Sequence, residues 1–134
     1  MSTFHLTYKP FGNSAILIEW PAKIAEEIIG DIVAFEKKII KKSIVLDTVV
    51  AYHSLLIKYT APVANYTSTT LELQELYTTR SSQKKEVQQL WQIPVCYHPS
   101  FGLDLEEMAA KKHCTVEDII ALHTGVSYLI YFIG

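Results

Sequence analysis

Apolar positions along the chain change period, and each change predicts an element. Residues 14–20 (SAILIEW) form a short, β-rich apolar run behind the turn signal FGN, which predicts a buried strand. Pro21 ends it and suits the start of a helix. From residue 22 to 42 the period becomes helical. Ile24, Ile28, Ile32, Phe35 and Ile39 form a stripe that Ala25, Ile29 and Ile40 widen. Glu26 and Glu27 lie near its start and Lys37, Lys38, Lys41 and Lys42 near its end, as the helix dipole prefers. Gly30 weakens this helix by about 1 kcal/mol without ending it. Residues 45–51 and 54–59 read as two strands joined by a tight turn at Tyr52-His53, with Pro62 closing the second. Residues 67–82 then predict a second helix, with a threonine cap and Leu73, Leu76 and Tyr77 on one face. Residues 86–97 follow as a strand. The order strand, helix, strand, strand, helix, strand predicts an α+β fold. Its form is a ferredoxin-like split βαβ domain over residues 1–95, with both helices on one face of an antiparallel sheet.

After Pro99 the pattern changes. Asp104 can cap a helix over residues 105–113, with Glu107 at the reciprocal capping-box position. Thr115 can cap a second helix over 116–124, with Asp118 at the matching position, and Gly125 ends it. Residues 126–134 (VSYLIYFIG) then read as a buried strand. Bulky apolar residues of this kind need partners further along, so the pattern predicts the first part of a longer protein. Residues 96–134 are thus expected to hold two linking helices and the start of a second domain.

Composition narrows the class. Apolar residues make up 49% and charged residues 19%, which fits a globular core and excludes disorder. The net charge of −2 excludes the strongly basic balance of a nucleic-acid binder. The amino end lacks an apolar signal segment, and there are two cysteines, Cys96 and Cys114. Free thiols in a cytoplasmic setting are expected. No apolar run reaches membrane-spanning length, so no membrane partner is expected.

Candidate chemistry gathers in the last third. Cys96, His98, His113 and Cys114 have soft-ligand side chains, but the pairs C-x-H and H-C lack zinc-site spacing. The adjacent His113 and Cys114 at a helix end point about 100° apart, so one of the two misses a shared ion. No metal site is expected. Cys96 and His98 would share a strand face about 7 Å apart, a weak arrangement for a nucleophile and its base. Residues 104–125 resemble a helix-turn-helix, but the second helix brings Glu117 and Asp118 where a DNA reader needs donors. The glycines of FGNSA and SFGLD stand alone, without a phosphate-loop lysine. His123 and Thr124 close a helix just before the last apolar run, where a histidine can face a pocket.

Four stretches together carry a family resemblance. PFGNSAILIEW resembles a GDSALLVEF opening, and VVAYHSLLIKY a VPAYRSLLVYYD hairpin. IPVCYHPSFGLDLEEMA resembles an IPVCYGGEFGPDLEEVA junction, and VEDIIALHTGVSYLIYFIG an EEVIELHSAGEYRVYMLGF ending. The family is that of the B-type 5-oxoprolinase subunits (PxpB), also described as KipI or allophanate hydrolase subunit 1. The resemblance implies a small α/β domain followed by a cyclophilin-like barrel, of which residues 126–134 would be the first strand. It implies C-type and A-type partner subunits in a complex that opens 5-oxoproline to glutamate at the expense of ATP. No cofactor is then expected on this stretch itself, whose part is scaffold and docking. Two alternatives come with the family: inhibition of a sporulation-type histidine kinase, or a carboxyltransferase-type module of a urea carboxylase or allophanate hydrolase system. His123, Thr124 and Tyr131 are the expected site residues, His123 as proton carrier or donor and Tyr131 as a donor from the last strand. His98-Pro99-Ser100 replaces Gly-Gly-Glu, and Val50 replaces proline. The junction is expected to be a hinge, shaped by Pro99 and Gly102, capped by Asp104 and packed by Phe101 and Leu105.

Overall fold

In the computed structural model, which describes residues 4–79 and 89–132, the chain is α+β. The elements are β1 (Thr7–Pro10), β2 (Ala15–Glu19), α1 (Glu26–Ile39), β3 (Val45–Val50), β4 (Ser54–Tyr59), α2 (Tyr66–Thr78), α3 (Leu105–Lys112) and α4 (Val116–Thr124). They fall into two compact units, one of residues 1–86 with 131–134 and one of residues 87–130.

The first unit is built on an antiparallel sheet in the order β1-β2-β4-β3. Register follows from the alternation of side chains. Ile16 lies opposite Ile57 and Ile18 opposite Leu55, and all four are fully buried on one face. That face takes Ile28, Ile32, Phe35 and Ile39 of α1 and Leu73 and Tyr77 of α2. The 3.6-residue stripe of α1 and the two-residue alternation of β2 and β4 therefore meet in one core. The Thr48 hydroxyl donates to Glu36 Oε1 at 2.7 Å and ties α1 to β3.

Trp20, Phe35 and Tyr77 pack edge to face, with Phe35 and Tyr77 centroids 5.1 Å apart. Two of these rings carry a polar group that burial must satisfy. Trp20 Nε1–H donates to Asp31 Oδ2 at 2.8 Å and the Tyr77 hydroxyl donates to the same oxygen at 2.7 Å. The Phe4 backbone N–H donates in turn to the Tyr77 oxygen.

Several boundaries differ from the sequence expectation, for physical reasons. β1 has no counterpart in that expectation. Its TYKP sequence holds Lys9 and Pro10, which suit only a sheet edge and mask the strand signal. β1 occupies the place beside β2. Residues 89–97 form no strand, and 86–88 lie outside the described residues, so the fourth strand expected there is not part of the described sheet. Residues 126–132 likewise form no strand, because no described strand pairs with them; 133 and 134 lie outside the description. Helix α1 begins at Glu26, not residue 22, and α2 is capped by Asn65, whose side chain accepts from Ser68 N–H. The expected end of α2 at residue 82 lies outside the described residues.

Tyr59 closes β4 beside Ile39, Ile44 and Leu73, in a shallow cleft that also takes Lys42 and Glu72. Burial, and then the Glu72 charge, push its phenol up to about 12. In the unfolded chain the phenol ionises near its ordinary value of 10.0. The unfolded state therefore holds fewer protons than the folded state between those values, and stability falls as pH rises through that window. With allowance for solvent screening, a loss of about 1 kcal/mol between pH 10 and 12 is expected. Urea denaturation at pH 9 and 11 checks this: Tyr59→Phe should lose less stability across that step than the unsubstituted protein.

Candidate functional site

The second unit is a helical hairpin preceded by the junction stretch. The backbone turns at residues 98–102, where Phe101 and Gly102 N–H groups both donate to the His98 carbonyl, at 2.8 and 3.0 Å. His98 Nδ1 also meets the Ser100 hydroxyl at 2.7 Å. A Cβ on Gly102 would lie 2.3 Å from Leu105 Cδ1, so glycine lets Leu105 fold back over the turn. Phe101 does not pack the junction as expected: it is 75% exposed. Asp104 stands at the cap position of α3 but makes no side-chain cap bond. Its expected partner Glu107 pairs instead with Lys111 one turn on, an alternative that a helix surface always offers.

Helix α3 ends at His113, in the left-handed conformation with φ 56°, while Cys114 N–H donates to the Ala109 carbonyl. Helix α4 starts with the capping box that its sequence predicts. Asp118 N–H donates to Thr115 Oγ1 at 3.1 Å, and Thr115 N–H to Asp118 Oδ2 at 2.9 Å. The backbone bond first, and the hydroxyl bond second, hold the Asp118 carboxyl below its ordinary range. Gly125 caps the other end with an ordinary φ of −78°. Glycine is needed there for space, since a Cβ would lie 2.8 Å from the Ala121 carbonyl oxygen.

His123 lies in the last turn of α4, exposed to solvent. Its Nδ1 is hydrogen-bonded to the Tyr97 hydroxyl, across 26 residues of sequence. The Tyr97 ring stands edge-on to the imidazole at 5.9 Å, and the Tyr128 ring lies 5.6 Å away at 50°. The result is a histidine ring packed against two tyrosine rings. Thr124 is next to it, but its hydroxyl donates to the Ile120 carbonyl at 2.8 Å, so that hydrogen is already used. Tyr131 belongs to the first unit. With Phe132 it packs against Tyr52 in the β3–β4 turn, at 5.4 and 5.0 Å.

Tyr97 and Tyr128 are site residues that sequence reasoning misses. Both stand inside the two stretches that carry the resemblance, but nothing in local spacing brings residue 97 to residue 123. Cys96 and Cys114 are free thiols. Among the described residues, no three of His, Cys, Asp and Glu come together as a metal-ligand set. No helix among them is long and apolar enough to cross a membrane. α1, α3 and α4 each open on two acidic residues, which repel phosphate, and no glycine-rich loop precedes α2.

Comparison with known proteins fits the motif-bearing stretches. The chain is similar to the B-type subunit of 5-oxoprolinase from Bacillus subtilis (strain 168), 24% identical over 144 residues. That similarity covers 98% of this chain and 60% of the relative, so the chain spans less than two thirds of the relative's length. A crystal structure of a conserved uncharacterized protein from Pyrococcus horikoshii is 29% identical, with a TM-score of 0.47 over 96% of this chain and 59% of that one. The family model of the carboxyltransferase domain, subdomain C and D, matches residues 6–134. From its sixth residue to its last, the chain belongs to that carboxyltransferase-domain family.

Proposed function

We propose that the chain is the amino-terminal portion of a protein like the B-type 5-oxoprolinase subunits. It works in a cytoplasmic complex with C-type and A-type partner subunits that opens 5-oxoproline to glutamate. The observation that carries this reading is the similarity, along 98% of the chain, to the Bacillus subtilis relative. The reaction breaks the lactam C–N bond with water, and ATP hydrolysis to ADP and phosphate drives it. The acidic first turns of α1, α3 and α4 oppose phosphate, so in this reading ATP is assigned to the partners and no step involving it falls to this chain.

The chain's own contribution is mainly scaffold and docking. The second unit buries little of itself: Trp91, Ile93, Phe101, Leu103 and Leu122 are each about 70% exposed or more. Large apolar side chains left in water in this density mark a surface made to be covered. His123 is the residue that offers chemistry. Negative charge grows on the lactam oxygen as water adds, and a fixed donor there lowers the barrier.

Co-expression of the full-length protein with its C-type and A-type partners tests this reading. Glutamate released from 5-oxoproline is measured with and without ATP. ATP-dependent release is expected, with His123→Ala lowering kcat about 100-fold. An assembly that releases no glutamate overturns the proposal. If the same protein instead blocks autophosphorylation of a histidine kinase, the inhibitor alternative takes its place.

A further inference from the structure

We infer that Tyr97 is a positioning residue that holds His123 as the neutral tautomer protonated on Nε2. His123 then offers an N–H donor to a carbonyl or carboxylate oxygen instead of acting as a base. The inference rests on the proposed function for the identity of that oxygen, but not for the positioning itself.

The hydrogen bond joins the phenol to Nδ1. A neutral phenol is a far stronger acid than a neutral imidazole N–H, so the phenol donates and Nδ1 accepts. The ring proton is thereby confined to Nε2, on the opposite edge, which has no partner among the described residues. With Nδ1 occupied by the phenol, the nitrogen left open is Nε2. What it has to offer is a donor of fixed direction. The edge-on Tyr97 ring and the tilted Tyr128 ring both pack close to the imidazole, with centroids 5.9 and 5.6 Å away. Thr124 does not compete for the role, because its hydroxyl hydrogen goes to Ile120. An oxygen-bearing ligand suits this donor: its oxygen would meet Nε2–H beside the exposed Tyr128 ring, 5.6 Å from the imidazole. A lactam carbonyl or a ring carboxylate has that chemistry.

Two measurements decide the matter. In the full-length ¹⁵N-labelled protein above pH 8, the His123 ring nitrogens are followed by long-range ¹H–¹⁵N correlation. A single Nε2–H tautomer with a hydrogen-bonded Nδ1 is expected. Tyr97→Phe should release Nδ1 from that bond and admit the other tautomer, while Tyr128→Phe, which keeps the ring, should leave the spectrum unchanged. An Nδ1–H signal in the unsubstituted protein, or no response to Tyr97→Phe, overturns the positioning role whatever the enzyme does. In the assembled complex, His123→Gln keeps an N–H donor but no base. It should retain kcat within about tenfold of normal, and Tyr97→Phe should lower kcat about tenfold, the worth of one neutral hydrogen bond. A His123→Gln variant as inactive as His123→Ala overturns the donor role. Failure of the proposed function has a different signature, since then the unsubstituted assembly releases no glutamate while the tautomer result still stands.

Discussion

Phe35→Ala is expected to destabilise the first unit by about 4 kcal/mol. Phe35 is fully buried, packed edge to face against both Trp20 and Tyr77 and under the Ile16, Ile18, Leu55 and Ile57 face of the sheet. Truncation removes the transfer free energy of the ring and leaves a void. The surrounding wall consists of branched aliphatic side chains on paired strands and rings held by hydrogen bonds, so it can collapse only a little. Two edge-to-face contacts are lost as well. Domains of this size have about 5–15 kcal/mol in total, so one substitution removes much of the stability. Urea unfolding followed by Trp20 fluorescence in a Trp91→Phe background measures it. The midpoint should fall steeply with little change in slope. Ile24→Ala is the control: Ile24 is 61% exposed and should change stability by less than about 0.5 kcal/mol. A loss under about 2 kcal/mol for Phe35→Ala would mean that the core is loosely packed.

Asp31→Ala should cost about 3 kcal/mol, although it removes no apolar surface. The carboxylate accepts from both Trp20 Nε1–H and the Tyr77 hydroxyl, at 2.8 and 2.7 Å. Trp20 and Tyr77 are 3% and 4% exposed, so water cannot replace the lost acceptor. Two hydrogen bonds to a charged group disappear and two buried donors remain. Asp31→Asn keeps a carbonyl oxygen and should recover about half of the loss. The Phe35 and Asp31 substitutions share Trp20 and Tyr77, so the double variant should fall short of the sum by about 1 kcal/mol. Strict additivity would show that the polar node and the aromatic trio are independent.

Both effects concern residues whose burial is legible in the sequence to different degrees. The stripe containing Phe35 follows from helical spacing, and Ile32 and Ile39 fall on the same side with it. Asp31 lies beside Ile32 in sequence and reads as an ordinary surface acid. Its role depends on Trp20 and on Tyr77, 46 residues away, and no local pattern encodes that distance. The same holds for the candidate site. His123 and Thr124 are legible as the polar end of a capped helix, and the Thr115–Asp118 box forms as expected, because all its atoms lie within one turn. Tyr97 is not legible, because only folding brings it to His123. Asp104 and Glu107 show the opposite error. Their spacing is right, but Lys111 is an equally near partner for Glu107.

The existence and type of α1, β3, β4 and α2, though not every end of them, needed nothing beyond local pattern. Burying a stripe of period 3.6 or 2 dictates helix or strand wherever the run is long enough and its caps are present. The family resemblance, too, lies in short strings of residues, and the family match bears it out over residues 6–134. Tertiary structure alone decided which strand completes the sheet. β1 takes the edge with Lys9 and Pro10, while the more apolar residues 89–97 and 126–132 stay unpaired. A strand is stabilised by its neighbour's backbone, so apolar alternation cannot say whether a neighbour is within reach. Folding likewise decided which nitrogen of His123 is occupied, because the tautomer of an imidazole is set by whatever group the fold places against it.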